Sequence, residues 1–294
     1  MPNALARYIE ARGGTVLTEA TVSKFTIENN ECTGLELADG RKFSANRAVV
    51  TSLDPKQSFL KLVEPGILDD GFLRMVHNYR FGKVSIVRVH YALNEAPEFK
   101  NGNEMSKTPF QRIFGTLDDI EKQYADISLD IPPENPFLWS ACWTKKDPTR
   151  APDGKHTLIV DTFVSNKLQG GQRWTDSLAK QYVDNVILPK FREYTTNMSD
   201  TNILGEYVDH AETLARDNWS LVDGTTTGGE RIMAQTGFFR PFPGYAQYRS
   251  PIDKLWMTGP STHPGAAITA MGTVTAKEML KDWGMLEEED EFDF

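Results

Sequence analysis

The sequence predicts a mixed α/β chain, and three stretches carry that prediction. The first 62 residues read in the order helix, strand, antiparallel ribbon, strand, helix. Residues 254–282 read as a strand, a glycine-rich turn and a helix. Between them lies a long region of β-branched and aromatic runs divided by turn-forming residues. Helical and period-two spacings therefore alternate at both ends, while the middle is strand-rich.

Residues 3–12 set Leu5, Tyr8 and Ile9 on one helical face, and Gly13-Gly14 supply the stop. Thr15-Val16-Leu17-Thr18 reads as a short strand. Val22 to Glu28 and Thr33 to Ala38 alternate with period two through Phe25, Ile27, Leu35 and Leu37, so they form a hairpin across Asn29-Asn30-Glu31. Asp39-Gly40 turns the chain into Lys42-Phe43-Ser44. Ala48-Val49-Val50-Thr51 is an apolar run of buried-strand type, and Asp54-Pro55 opens a helix over 55–62.

Lys83 to Ala92 is a strand by its Val84, Ile86, Val89 and Tyr91. Residues 94–112 read as polar and irregular around Pro97 and Pro109. Leu138 to Thr144 and Thr157 to Val164 are further strands. Trp174 to Tyr194 has helical spacing, with Pro189 kinking or dividing it. Finally Lys254 to Thr258 is a strand, and Gly259-Pro260-Ser261-Thr262-His263-Pro264-Gly265 a turn. The helix after it has Ala267, Ile268, Met271, Val274, Thr275 and Met279 as its apolar face, with Pro264 in a first-turn position and Gly284 at the end. Such a helix start presents free N–H groups and the positive end of a dipole to whatever fills the turn.

Composition limits the function classes. The chain has 294 residues, with 32 Lys and Arg against 41 Asp and Glu, a formal charge of −9. Nucleic acid is a disfavoured partner, because phosphate contacts need a basic stripe. Residues 287–294 form an acidic tail. Cys32 and Cys142 stand alone without a CxxC pair, and read as buried small hydrophobes, with a disulfide between them left open. His77, His90, His156 and His210 lack metal-ligand spacing, so no metal is expected. The first residues lack a signal peptide's apolar run, and no stretch approaches about 18 apolar residues. A reducing, soluble compartment is favoured, and peripheral membrane contact stays open. Trp139, Trp143 and Trp256 read as core. Arg240 either lies buried against carboxylates or orients a ligand. Ser261-Thr262-His263 lacks the GxSxG elbow, which rejects a hydrolase.

Three groups of residues together carry a resemblance. The first is Arg12-Gly13-Gly14, Val22, Gly34-Leu35-Glu36-Leu37, Asp39-Gly40, Ala45, Val49-Val50 and Asp54-Pro55. The second is Arg240-Pro241-Phe242-Pro243-Gly244 followed by Tyr248-Arg249-Ser250-Pro251-Ile252. The third is Leu255-Trp256-Met257-Thr258-Gly259-Pro260, then His263-Pro264-Gly265-Ala266-Ala267, Gly272 and Ala276. In this order the chain resembles the C-terminal part of the phytoene-desaturase and retinol-saturase superfamily of flavin oxidoreductases.

The resemblance implies an incomplete FAD/NAD(P)-binding Rossmann-like domain built from residues 1–62 and 235–286, and a mixed-sheet substrate domain over 63–234. It implies that Gly259, Pro260, His263, Pro264, Gly265, Ala266, Ala267 and Ile268 lie against the flavin, the N–H groups of the last three facing its C2 carbonyl. The backbone of Val22 would meet the adenine, with Thr51 and Ser52 near the ADP half. His263 is the one weak candidate for a catalytic proton role, against an equally weighted loop-shaping role.

The departure from the family pattern is the absence of any GxGxxG; Gly224-Thr225-Thr226-Thr227-Gly228-Gly229 lacks that spacing. A truncated chain is therefore expected, with FAD bound weakly or not at all by these residues alone. Its expected partner is the missing N-terminal half or a second copy. The implied chemistry is FAD-dependent desaturation or saturation of a carbon–carbon bond in an apolar, isoprenoid-type substrate. The competing reading is a non-catalytic binding or interaction module.

Overall fold

The computed structural model describes residues 2–265 and 270–286. In chain order the elements are α1 (Pro2–Glu10), β1 (Val22–Glu28), β2 (Glu31–Leu37), β3 (Lys42–Ser44), β4 (Val49–Thr51), α2 (Pro55–Lys61) and α3 (Asp70–Asn78). There follow β5 (Val84–Leu93), α4 (Asn103–Lys107), β6 (Phe110–Ile113), α5 (Leu117–Ser128), β7 (Leu138–Ala141), β8 (His156–Ser165), α6 (Asp176–Tyr182), α7 (Leu188–Tyr194), β9 (Ile203–Asp209), α8 (Ala211–Asp217), β10 (Leu255–Met257) and α9 (Ala270–Asp282). The class is mixed α/β, as expected. Two compact units divide the chain, one of residues up to Tyr79 together with those from Ile232, the other Arg80–Arg231.

In the first unit β1, β2 and β3 form an antiparallel ribbon, with Phe25 opposite Leu35. Asn29 and Asn30 make its turn at φ of 50° and 63°, a left-handed pair that asparagine tolerates. Gly34 is required there, since a Cβ would strike the Phe43 carbonyl of β3. Next to the ribbon, β4 pairs with β10 in parallel, Val49 with Leu255, Val50 with Trp256 and Thr51 with Met257. Asp253 joins the two sheets, accepting from Cys32 N–H at 2.8 Å and donating to the Asn30 carbonyl at 2.9 Å.

Asp54 caps α2 by accepting from Gln57 N–H at 3.0 Å, with Pro55 in the first turn where its missing N–H costs nothing. Asp69 does the same for α3 through Gly71 and Phe72. These two helices meet through aromatic edges. Phe72 is nearly sealed and makes T-shaped contacts with Phe59, Phe242 and Tyr245, centroids 4.9, 5.5 and 5.1 Å away. Helix α9 buries Met271, Thr275 and Met279 of its expected apolar face; Ala267 and Ile268 lie outside the described residues.

The expected strand at Thr15–Thr18 does not form. The segment is irregular and pairs with no described strand, so its backbone has no ladder to join. Val16 and Leu17 are 40% and 47% exposed, and Leu5, Tyr8 and Ile9 of α1 are also exposed. Helix α1 buries none of its residues.

The second unit is a five-stranded antiparallel sheet in the order β6-β7-β8-β5-β9. Its long central pair runs from Val84 opposite Ser165 to Leu93 opposite His156. One face supplies Val87, Val89, Leu158 and Val160 to a core closed by Ala179, Val183, Ile187 and Phe191. The Pro189 kink takes the form of a π-helical turn, Val183–Ile187, between α6 and α7. A wider turn accommodates the residue that cannot donate. Of the three tryptophans read as core, Trp256 is 4% exposed, but Trp143 is 40% exposed and Trp139 half-buried. Cys32 and Cys142 are both buried and free, which closes the disulfide alternative. Among the described residues no helix is long and apolar enough to cross a membrane, and no His/Cys/Asp/Glu group has a metal-binding arrangement.

Two outcomes follow from this packing. Phe72→Ala should lower the unfolding free energy in urea by about 3–5 kcal/mol through the cavity it leaves. The pair Ile9→Glu and Leu17→Glu should change that free energy by only about 0.5 kcal/mol. It should also reduce any self-association in sedimentation velocity, because two exposed apolar side chains are then charged.

Candidate functional site

Within the first unit the carboxyl ends of β4 and β10 lie side by side, and there the chain turns away on both strands. In open α/β sheets this edge is where ligands are received. The ladder extends one residue further, Thr258 N–H donating to the Thr51 carbonyl at 2.8 Å. Thr51 is buried and its hydroxyl lies 3.0 Å from that of Ser58, so β4 passes into α2 through a fixed turn. On the other side Thr275 of α9 donates to the Thr258 hydroxyl at 2.9 Å.

The loop after β10 is held close to that turn. Gly259 has φ of 92°, and a Cβ there would lie 3.0 Å from the Ser52 carbonyl. The Thr262 hydroxyl and N–H both return to the Gly259 carbonyl, at 2.9 and 3.1 Å. Arg240, 2% exposed, braces the loop: Nε and Nη2 donate to the Pro260 carbonyl at 3.0 and 2.7 Å, and Nη1 to Gln235 at 3.1 Å. These three contacts go to backbone carbonyls, where one of the two expectations had carboxylates. Gly265, at φ of 80°, would place a Cβ 2.7 Å from the Arg240 Nε, so the brace itself requires glycine. Burial pushes the Tyr79 phenol pKa up, offset in part by the nearby Arg240 charge and a hydrogen bond with Ser261. The phenol stays protonated beneath the loop.

His263 receives a hydrogen bond at its backbone carbonyl from the Tyr248 hydroxyl, 3.0 Å away. Its ring stacks on Phe238 with centroids 5.1 Å apart and planes 12° from parallel. Its Nδ1 is buried and makes no hydrogen bond among the described residues. Pro264 lies in a turn, ahead of a left-handed Gly265, and so is not a first-turn helix proline as expected. Ala266, Ala267 and Ile268 lie outside the described residues. Val22 opens β1 opposite Leu37, and none of the described hydrogen bonds joins it to the loop.

These residues fit the flat end of a flavin. Gly259 and Gly265 let the loop pack against Ser52 and Arg240, the Phe238–His263 stack offers an aromatic surface, and the His263 Nδ1 has no hydrogen-bond partner among the described residues. The diphosphate end finds no matching cradle, because the sequence has no GxGxxG. Gly224, in the other glycine-rich stretch, packs against the Ala211 backbone and so serves packing.

Three of the remaining histidines, His90, His156 and His210, have structural partners. His210 is buried, caps α8 and lies 2.9 Å from Asp176. His90 lies 3.0 Å from Asp209, and His156 2.9 Å from the Thr144 hydroxyl, with its pKa lowered by burial and by Lys145. A cleft in the second unit is lined by Glu95, Glu98, Lys145 and His156. Lys145 is committed there, donating to the Pro97 and Ser106 carbonyls at 2.9 and 2.5 Å. Arg240 was legible only as part of the Arg240-Pro241-Phe242-Pro243-Gly244 motif; Phe238 and Gln235 carried no signal in the sequence.

A family model described as flavin containing amine oxidoreductase matches residues 1–273. The pyridine nucleotide-disulfide oxidoreductase domain-containing protein 2 of Mus musculus is 23% identical over 96% of this chain and 50% of its own length. A lycopene-forming phytoene desaturase of a Paracoccus species is 25% identical, over 93% of this chain and 52% of its own. The chain thus spans about half the length of the curated relatives it matches. The crystal structure of an oxidoreductase from Methanosarcina mazei superposes with a TM-score of 0.54 at 16% identity, covering 94% of this chain and 52% of that one, a likeness of fold. The chain belongs to the flavin containing amine oxidoreductase family.

Removing the brace tests the site's architecture. Arg240→Met should remove the guanidinium donors to the Pro260 and Gln235 carbonyls, at about 1–3 kcal/mol for a buried carbonyl left unsatisfied. Arg240→Lys should recover only part of that loss, because one ammonium cannot reproduce a planar fork. Urea unfolding of the two variants reads the difference.

Proposed function

We propose that this member of the flavin containing amine oxidoreductase family forms the flavin-ring side of an FAD-dependent oxidoreductase. Its proposed reaction is desaturation or saturation of a carbon–carbon bond in an apolar substrate. The observation that carries the reading is the loop Gly259–Gly265, fixed at the carboxyl ends of a parallel strand pair by Arg240 and shaped for close approach. In this reading residues 1–62 and 235–286 make the flavin domain and 63–234 the substrate domain.

The roles follow from chemistry. Gly259, Pro260 and Gly265 carry the ring edge on a loop whose two glycines let it pack against Ser52 and Arg240. The positions Ala266, Ala267 and Ile268 are assigned to the flavin C2 carbonyl and Val22 to the adenine by the family resemblance alone. FAD supplies, when bound, the acceptor for a hydride. His263 acts as a positioning residue: its ring is held by Phe238, and its Nδ1 is left to meet the cofactor or the substrate. Arg240 braces the loop through the Pro260 carbonyl.

Titration with FAD, followed by flavin fluorescence, tests this. The chain alone should bind weakly, because the diphosphate lacks its glycine-rich cradle. Addition of a polypeptide carrying a GxGxxG strand–turn–helix unit of the family should strengthen binding. Gly265→Leu should abolish the strengthened binding, and Phe238→Ala and His263→Ala should weaken it more modestly. Strengthened binding that Gly265→Leu leaves intact would show that the flavin lies elsewhere.

A further inference from the structure

The chain crosses between its two units twice, from Tyr79 to Arg80 and from Arg231 back to Ile232. On the second-unit side the two crossings are tied to each other. Glu230 N–H donates to the Arg80 carbonyl at 2.8 Å, and the Arg80 Nε donates to the Glu230 carboxylate at 2.8 Å. On the first-unit side each crossing is tied to the loop Gly259–Gly265. The returning chain soon reaches Gln235, whose carbonyl accepts from Arg240 Nη1 at 3.1 Å, while the same guanidinium holds the Pro260 carbonyl.

Tyr79 makes the tie on the outgoing crossing. Helix α3 ends at Asn78, and Tyr79 closes it by donating its N–H to the Val76 carbonyl at 3.2 Å. The Tyr79 side chain is buried and meets the edge of Phe242, centroids 6.5 Å apart. A phenol this deeply buried needs a polar partner. It shares a hydrogen bond with the hydroxyl of Ser261, which is also buried, in the middle of the loop. A phenylalanine would fill the same space, so packing does not account for the hydroxyl. The next residue, Thr262, closes the loop through its N–H to the Gly259 carbonyl at 3.1 Å. A shift of Ser261 therefore acts directly on the hydrogen bond that closes the loop.

We infer that Tyr79 is a positioning residue of the candidate site, which holds the loop Gly259–Gly265 through Ser261 and transmits to it the state of the crossing at Arg80. One peptide bond separates Arg80 from Tyr79, so a change at the Arg80–Glu230 tie reaches the loop along the chain itself. The inference deepens the functional reading above by giving its flavin loop a control from the second unit. It rests on that reading only in calling the loop a flavin site. The network itself requires no flavin, so the two stand or fall separately.

Amide hydrogen exchange of the full chain without flavin tests it. Mass spectrometry reads the peptide containing Gly259–Gly265, with the β1–β2 ribbon as internal control. Tyr79→Phe should speed exchange in the loop about fivefold, the effect of one buried hydrogen bond, and leave the ribbon unchanged. Ser261→Ala should act in the same direction. The double variant should exchange no faster than Ser261→Ala alone, because both changes remove one contact. Arg80→Gln lies outside the first unit and should still speed loop exchange about twofold, the range of a partly exposed ion pair. Arg80→Lys, which keeps the charge, should restore most of the protection. A purely local packing role for Tyr79 would leave the loop insensitive to both Arg80 variants. Loop exchange unchanged by Tyr79→Phe or by Arg80→Gln, or a rise of equal size in the ribbon, would overturn the inference. The expected pattern in a chain that takes up no FAD, even with a GxGxxG-bearing polypeptide added, would retain the network and remove the flavin reading.

Discussion

The first unit depends on a parallel ladder only three residues long. Val49–Thr51 against Leu255–Met257 joins stretches from opposite ends of the sequence. Without it the turn into α2 and the loop after β10 would have no common frame. A pair this short cannot be stable by itself. It is supported on one side by the ribbon through Asp253, and on the other by α9 through the Thr275–Thr258 hydrogen bond. Arg240 then ties the loop to the segment before it. A buried guanidinium is costly unless its donors are used, and here three of its nitrogens reach backbone carbonyls. The same contacts that stabilise the loop turn the Pro260 carbonyl toward the brace.

Much of this frame could be read from residue patterns. The β1–β2 ribbon, β4, α2, β5, β8 and β10 follow from period-two alternation, turn residues and the Asp54-Pro55 cap, all local signals. Thr15–Thr18 misled because alternation reports the capacity to pair, whereas a strand exists only if a neighbour is there. Helices α3 and α5 escaped attention although Asp69 and the Thr116–Asp119 capping box mark their starts. Helix α3 buries only Phe72 and Val76, and two of the three residues that α5 buries are the polar Gln123 and Asp126, so neither shows a long apolar stripe. Strand β9 has no fully buried residue and sits at the sheet edge, so it carries almost no hydrophobic signal.

The candidate site divides along the same line. Gly259 and Gly265 were legible because glycine is informative wherever the chain must turn left-handed or pass close to another backbone. The reason Gly265 must be glycine, the Arg240 side chain, was not legible, since it depends on a contact between residues remote in sequence. Nor could the sequence reveal that Trp139 is half-buried rather than core, since an indole looks the same in either setting until the fold is known.

The central claim is that the flavin ring meets the loop at the carboxyl ends of β4 and β10. Amide hydrogen exchange, followed by mass spectrometry, tests it most directly when FAD is added with a GxGxxG-bearing unit. The account predicts new protection in the peptide containing Gly259–Gly265, and none in β9 or α8. Protection confined to the second unit, with exchange at Gly259–Gly265 unchanged, would contradict it.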